Sequence, residues 1–174
     1  READVVLEIG FGTGETLADL ALANPQCNYL GVEVHRPGVG RLLNRIEADG
    51  LENLRVVCHD AVEVLEGQLA PGSLAAINIF FPDPWPKKRH HKRRLIQPPF
   101  LRLLAGRLQQ GGLLHIATDW ANYAEHIAEC LADSAEFSDA DIEHHRGRTK
   151  FERRGLALGH EVYDFVVSRN PDRG

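Results

Sequence analysis

The stretch Val5–Gly14, VVLEIGFGTG, decides the fold. Its first half is a near-continuous apolar run of strand length, and its second half places glycine at every other position, at Gly10, Gly12 and Gly14. The segment TLADLALA from Thr16, with apolar residues at helical spacing, then completes a strand, turn and helix unit. An apolar strand without polar alternation is typical of burial on both faces, which indicates a parallel sheet covered by helices.

Apolar runs of strand length continue to alternate with helical segments along the rest of the chain. The further predicted strands are NYLGVEV from Asn28, LRVVC from Leu54, LAAINIFF ending at Phe81, GLLHIAT from Gly112 and EVYDFVVS from Glu161. This alternation predicts an α/β fold with a doubly wound, mostly parallel sheet, in a single domain over residues 1–174. Since the sequence holds no Met and a strand starts soon after Arg1, we expect the natural protein to have a preceding N-terminal segment.

Acidic residues follow or end five of the predicted strands. They are Glu8, Glu33, Asp60, Asp83 and Asp119. In a doubly wound sheet, ligands bind outside the carboxyl ends of the strands, where the strand order reverses. A single acid in a surface loop is commonplace, but five at equivalent positions predict a binding site lined with carboxylates.

The glycine-rich turn narrows the choice of ligand. A dinucleotide-binding turn starting at Gly10 would need glycine at position 15, which is Glu15, and the Gly-Lys-Ser/Thr ending of a phosphate-binding P-loop is absent. A turn beside Glu8 suits a cation instead, and S-adenosylmethionine carries both an ammonium and a sulfonium group. We expect Glu33 to hold the two ribose hydroxyls of that cofactor and Asp60 to accept its adenine amino group. An ordinary tight turn is the alternative interpretation of the glycines alone.

The stretch Phe81–Arg94, FPDPWPKKRHHKRR, gathers positive charge in an acidic chain. Positions 87–94 of this stretch hold six of the 20 Lys and Arg residues and no acid, which leaves 14 Lys and Arg against 25 Asp and Glu in the remainder of the chain. The three prolines of the stretch fix φ and stiffen the chain around Asp83 and Trp85. We predict that its cations neutralise RNA phosphates, namely Lys87, Lys88, Arg89, Lys92, Arg93 and Arg94. A solvated charged loop or a nuclear-localisation signal would explain the charges but not the adjacent PDPW.

Six motifs in order, LEIGFGTG, GVEV, HDAVEVL, FPDPWPKKRHHKRR, ATDW and TKFE, resemble the bacterial tRNA (guanine-N7)-methyltransferase family. The first motif is shared widely among methyltransferases, whereas the last three together are specific to this family. The resemblance implies a class I, Rossmann-like sheet of seven strands with an antiparallel C-terminal strand. It also implies methyl transfer from S-adenosylmethionine to N7 of the variable-loop guanine 46 of tRNA, giving 7-methylguanosine.

The same resemblance implies roles for individual residues. The implied cofactor contacts are Glu8, Gly10, Gly12, Gly14, Glu33, Asp60 and Asp83. The implied substrate contacts are Lys87, Asp119, Thr149, Lys150, Phe151 and Glu152. Two features of the given sequence depart from the family pattern: it starts without the N-terminal extension usual in the family, which we expect the natural protein to have, and the segment between Phe137 and Thr149 is short. A second interpretation of TKFE is a capping box, Thr-x-x-Glu, at the start of a helix.

Guanine N7 offers a lone pair and has no proton to lose, so we expect positioning and electrostatics to dominate the reaction. We predict that Asp83 is the catalytic carboxylate, which stabilises the purine ring as positive charge develops on it. Asp119 is the better candidate for reading guanine, because a carboxylate can accept both N1–H and the exocyclic amino group. Trp85 or Trp120 could stack on the base, although a buried core position is the commoner fate of tryptophan.

The remaining features indicate the setting of the protein. Three separated cysteines without a C-x-x-C pair, at Cys27, Cys58 and Cys130, fit a reducing cytoplasm. No His, Cys or acid spacing matches a metal site, so we predict no metal, and no apolar run reaches the length of a membrane span. We expect tRNA as the partner of a monomer or homodimer. A small-molecule methyltransferase of the same fold and a noncatalytic RNA-binding domain are the alternatives.

Overall fold

The computed structural model describes residues 3–140 and 161–172. The strands in these ranges are β1 Val5–Ile9, β2 Asn28–Val32, β3 Leu54–Val57, β4 Leu74–Phe80, β5 Leu108–Thr118, β6 Phe137–Asp139 and β7 Tyr163–Arg169. The α-helices are α1 Glu15–Ala23, α2 Arg36–Asp49, α3 Ala61–Gly67, α4 Pro98–Arg107 and α5 Ala121–Ala132. A short 3-10 helix covers Lys88–Arg93.

The strands of the described residues form one seven-stranded sheet in the order β3-β2-β1-β4-β5-β7-β6. Strands β1 to β5 run parallel, and β7 pairs antiparallel with both β5 and β6. The chain moves outward from β1 in one direction through β2 and β3, then returns to place β4 on the other side of β1. Because parallel crossovers are right-handed, this reversal puts helices on both faces of the sheet. The predicted doubly wound, mostly parallel sheet with an antiparallel C-terminal strand is confirmed.

Local sequence signals set the ends of the helices that follow β2 and β3. Helix α2 has a proline, Pro37, in its first turn, and Gly50, which adopts φ 62°, caps its C-terminus after Asp49. Asp60 caps α3 by accepting hydrogen bonds from the backbone N–H groups of Val62 and Glu63. These caps fix where the loops after β2 and β3 give way to helix.

Two hydrophobic clusters hold the layers together. In the larger one, Leu7, Ile77 and Leu114 from the central strands are fully buried, together with side chains of α3, α4 and α5. The smaller one joins α1 and α2 to the sheet through residues such as Leu17 and Leu42. Burial of each such side chain contributes about 1.5–3 kcal/mol. The loops after β1 and β4 therefore start from strands that are packed in the hydrophobic core.

Three elements differ from the prediction. Strand β5 starts at Leu108 rather than at Gly112, so it is four residues longer at its start than predicted. The three-residue strand β6 was not predicted, because it is too short to show a periodic pattern. The basic stretch, expected as a loop, contains the 3-10 helix Lys88–Arg93.

Candidate active site

The glycine-rich loop leaves β1 at the point where the strand order reverses. Gly10 N–H donates to the Val32 carbonyl at 2.8 Å, which ties the loop to β2. Gly10 and Gly12 adopt φ 72° and 62°, a region that side-chain-bearing residues avoid. No heavy atom lies within 4 Å of the place where a Cβ would stand at either residue. The loop therefore presents bare backbone to open space, as a ligand cradle requires.

Glu33, at the end of β2, braces this loop with both carboxylate oxygens. Its Oε2 accepts the Gly12 N–H at 2.9 Å, and its Oε1 accepts the N–H groups of Val34 and His35 at 2.8 and 3.1 Å. A carboxylate offers about four lone-pair sites, so these bonds leave acceptor capacity for a ligand. The ribose role of Glu33 stays a prediction, and bracing the loop is a role that the sequence did not suggest.

Glu8 is the most unusual ionisable group of the site. Its side chain is buried, and its Oε2 has no hydrogen-bond partner among the described residues. Desolvation, and then the negative charge of Glu33, raise the pKa of Glu8 to about 8. A buried carboxylate without a partner is costly, and a cationic ligand would supply the missing interaction. The open glycine loop and this acid fit a cofactor that carries positive charge.

Two further predicted acids lie at neighbouring strand ends. Asp60 is exposed, and its Oδ1 accepts the N–H groups of Val62 and Glu63 at 2.9 and 3.1 Å. Asp119 follows β5 directly and is half-buried. The structure thus brings Glu8, Glu33, Asp60 and Asp119 to the carboxyl edge of the sheet as predicted, while their ligands stay predictions.

The segment after β4, residues 81–86, has a strained backbone. Phe81 and Trp85 both adopt positive φ, at 54° and 42°, which is uncommon for bulky residues. The Phe81 N–H donates to the Ala117 carbonyl of β5 at 2.8 Å, and the Trp85 N–H donates to Asp83 Oδ1 at 2.9 Å. Such strain persists only where the surroundings over-determine the conformation, and it clusters at functional sites.

Trp85 packs against the 3-10 helix. The Arg93 guanidinium carbon lies 5.1 Å from the centroid of the indole ring, and the His90 ring meets it edge-on at 5.7 Å. The Trp85 indole is half-buried, so stacking on a base and a place in the core both stay predictions for this residue. Trp120 is 43% exposed, which makes its burial in the core wrong and leaves stacking on a base a prediction.

The basic stretch exposes five of its six cations. We call the exposed set the basic patch, and it consists of Lys87, Lys88, Arg89, Lys92 and Arg93. Arg94 does not belong to it, so that part of the prediction is wrong. The Arg94 side chain is only 3% exposed, and its guanidinium binds the Pro84 carbonyl and the Asn122 side chain. No local signal separates Arg94 from Arg93, because its burial depends on α5, which comes later in the chain.

The remaining predictions concern residues that the structure does not describe, a metal site and a membrane span. The substrate segment Thr149–Glu152 falls in the range that the structure does not describe. Within residues 3–140 and 161–172, no group of three or more His, Cys, Asp and Glu side chains is placed to hold a metal ion. Over the same ranges, the helices are too short or too polar to cross a membrane.

Comparisons with known proteins agree with this architecture. Solved structures that resemble it include the 16S rRNA methyltransferase KamB, with a TM-score of 0.72 at 18% identity over 97% of this chain and 88% of that chain. An S-adenosylmethionine-dependent O-methyltransferase from Thermotoga maritima gives a TM-score of 0.65 at 16% identity, covering 100% of this chain and 62% of that chain. At these identities the likeness shows the fold alone.

Comparisons of the sequence find relatives with much higher identity. The family model described as "Putative methyltransferase" matches residues 2–165. A protein of Bordetella pertussis named tRNA (guanine-N(7)-)-methyltransferase is 55% identical, over 97% of this chain and 68% of its own length. A protein of Halorhodospira halophila with the same name is 54% identical, over 99% of this chain and 78% of its own length. The chain therefore belongs to the bacterial tRNA (guanine-N7)-methyltransferase family.

Proposed function

We propose that this protein transfers the methyl group of S-adenosylmethionine to N7 of guanine 46 in the variable loop of tRNA, giving 7-methylguanosine. The observation that carries the proposal is one juxtaposition at the reversal point of the sheet. Glu8, whose buried Oε2 has no hydrogen-bond partner among the described residues, lies on β1 just before the open glycine loop, and the adjacent strand β4 leads into Asp83 and the basic patch. A site for the positively charged cofactor would therefore lie beside a site for the RNA phosphates, and methyl transfer to tRNA needs this arrangement.

The cofactor would be held by the loop and the acids around it. When bound, S-adenosylmethionine supplies an electrophilic methyl group. Glu8 would face its positive charge, Glu33 would accept its ribose hydroxyls, and Asp60 would accept its adenine amino group. Gly10 and Gly12 would let the backbone approach the ligand closely. A Cβ at Gly14 would stand 2.8 Å from the Leu42 side chain, so Gly14 would contact the ligand only through its backbone.

Asp83 is the proposed catalytic residue. Asp83 is exposed in the segment after β4, and its Oδ1 accepts the Trp85 N–H, which orients the carboxylate. Because guanine N7 needs no deprotonation, the carboxylate acts by stabilising positive charge on the purine ring. Asp119, at the end of β5, would read N1–H and the exocyclic amino group of guanine.

The tRNA substrate would also be held by the cations of the basic patch and by the segment Thr149–Glu152. The basic patch would bind tRNA phosphates, with Lys87 nearest in sequence to Asp83. Thr149, Lys150, Phe151 and Glu152 remain proposed substrate contacts by resemblance. A tRNA substrate would place the protein in the bacterial cytoplasm.

The test is methylation of defined tRNA transcripts with radiolabelled S-adenosylmethionine, followed by nuclease digestion and nucleoside chromatography. We expect labelled 7-methylguanosine from a transcript with guanine at position 46 and none from a matched transcript with adenine there. Label in a small molecule but not in tRNA would favour a small-molecule methyltransferase. Binding of tRNA without any transfer would favour a noncatalytic RNA-binding domain.

A further inference from the structure

The peptide unit between Pro84 and Trp85 is held at both ends. Its carbonyl oxygen accepts a hydrogen bond from Arg94 Nε at 2.7 Å, and its N–H donates to Asp83 Oδ1 at 2.9 Å. A peptide unit is planar, so fixing the direction of its carbonyl also fixes the direction of its N–H. Through this one plane, the Arg94 guanidinium sets the orientation of the Asp83 carboxylate without touching it.

The same guanidinium reaches helix α5. Arg94 Nη2 donates to Asn122 Oδ1 at 2.8 Å, and the guanidinium carbon lies 4.7 Å from the centroid of the Tyr123 ring. Tyr123 is fully buried, and its hydroxyl accepts the Ile96 N–H at 3.1 Å. Helix α5 begins two residues after Asp119. One buried cation therefore joins the segment that carries Asp83 to the helix that follows Asp119.

Arginine is the side chain that this geometry requires. Its planar guanidinium presents several donors in fixed directions, whereas a lysine ammonium is a point charge at the end of a flexible stem. Arg94 uses separate nitrogens for the Pro84 carbonyl and for Asn122 while its face lies over Tyr123. The neighbouring segment holds two residues at positive φ, and a conformation of that kind needs external support.

We propose that Arg94 is a positioning residue, which orients Asp83 through the Pro84–Trp85 peptide and aligns it with the Asp119 end of β5. The proposal rests on the proposed function for its catalytic readout. It separates Arg94 from its neighbours in the basic stretch, because they act on tRNA affinity and Arg94 acts on the chemical step.

The first experiment compares Arg94→Lys with Lys92→Ala, which removes one cation of the basic patch, and with Arg102→Lys, which changes an exposed arginine of α4. We expect Arg94→Lys to lower kcat about 10- to 100-fold, because small misplacement of a reacting group is costly, while KM for tRNA and the salt dependence of KM stay near wild type. Lys92→Ala should raise KM for tRNA instead, and Arg102→Lys should change neither constant. An Arg94→Lys enzyme with raised KM, a shallower salt dependence and wild-type kcat would overturn the proposal, and so would one without any change.

A second variant covers the case in which Arg94→Lys does not fold. Asn122 is exposed, so Asn122→Ala removes only the acceptor of Arg94 Nη2. We expect a smaller loss of kcat, roughly 3- to 10-fold, with an unchanged KM for tRNA. A wild-type kcat in Asn122→Ala would contradict a role of Arg94 in coupling the segment to α5.

A readout independent of activity uses Trp85 fluorescence. The chain has two tryptophans, so in a Trp120→Phe background the emission comes from Trp85 alone. Arg94→Lys in that background should increase quenching of Trp85 by acrylamide, because the segment loses its anchor. Unchanged quenching would overturn the positioning role. If wild-type protein makes no 7-methylguanosine, the proposed function fails, while this measurement still decides whether Arg94 holds the segment.

Discussion

The two loops at the reversal point of the sheet reach unusual backbone conformations by opposite means. The loop after β1 uses glycines, so its positive φ angles carry little strain, and an acid braces it from β2. The segment after β4 has prolines and places Phe81 and Trp85 at positive φ, at a cost of order 1–3 kcal/mol each. Its shape depends on contacts from β5 and from Arg94. The first loop owes its positive φ angles to its own glycines and is braced from β2, whereas the second loop holds its positive φ angles through contacts with β5 and Arg94.

The largest expected effect tests the role of the second loop in chemistry. Asparagine at position 83 can still accept the Trp85 N–H, so Asp83→Asn should preserve the loop and remove only the negative charge. We expect kcat to fall about 10²- to 10³-fold at saturating cofactor, the size of loss seen when one electrostatic stabiliser is removed. Single-turnover methylation measures this fall. The matched change Asp60→Asn should weaken cofactor affinity with little change in kcat, and a threefold or smaller loss in Asp83→Asn would remove Asp83 as the catalytic group.

The next effect concerns the acid beside the first loop. The folded-state pKa of Glu8 is raised from 4.5 to about 8, so the protonated acid is the stable form below that pH. Its favourable contribution is fully present below the unfolded pKa and is lost as the pH rises through about 8, a loss on the order of several kcal/mol. Denaturant unfolding of the ligand-free protein from pH 5 to 9 should show a steeper fall for wild type than for Glu8→Gln. Parallel curves for the two proteins would contradict the burial of an ionisable Glu8.

Cofactor affinity adds a second measurement on the same pair of proteins. Since a cation would face Glu8, Glu8→Gln should bind S-adenosylmethionine roughly tenfold more weakly, an ordinary loss for one charged contact. Isothermal titration calorimetry at pH 8 measures it. Equal affinities would remove Glu8 from the proposed cofactor site, whatever its effect on stability.

A glycine pair on α2 probes how closely the first loop is packed. A Cβ at Gly38 would stand 1.9 Å from the Gly12 carbonyl oxygen, whereas a Cβ at Gly40 would meet nothing within 4 Å. We expect Gly38→Ala to destabilise the protein by about 1–3 kcal/mol and to weaken cofactor binding, because the loop must shift. Gly40→Ala, the matched control, should stabilise the exposed helix by roughly 0.5–1 kcal/mol. Similar effects of the two substitutions would show that α2 does not limit the loop.

The difference between the loops also explains what could be predicted from sequence. The sheet, the acids at the strand ends and the glycine loop could be predicted from sequence. Each of them depends on a local pattern: an apolar run, the residues that follow a strand, or a set of nearby glycines. The positive φ of Phe81 and the burial of Arg94 depend on contacts with Ala117 and Asn122, residues distant along the chain, so the sequence alone did not reveal either feature. The brace from Glu33 to Gly12 was also missed, because 21 residues separate its two partners. Most of the helices and strands could therefore be predicted from the sequence, whereas the contacts between them could not.

The smallest expected effect tests the basic patch. Each patch cation that binds a phosphate should contribute about −0.7 to −0.9 to the slope of log K against log salt concentration, through counterion release. Lys92→Ala should therefore make the slope for tRNA binding shallower by about one, with less than a tenfold loss of affinity at moderate salt. Fluorescence anisotropy with labelled tRNA at several salt concentrations measures this slope, and Arg102→Ala provides an exposed cation outside the patch as the control. Arg94→Lys should leave the slope unchanged, because a buried guanidinium bonded to Pro84 and Asn122 releases no counterion. If Arg94→Lys and Lys92→Ala reduced the slope equally, the division between a binding surface and a buried brace would fail.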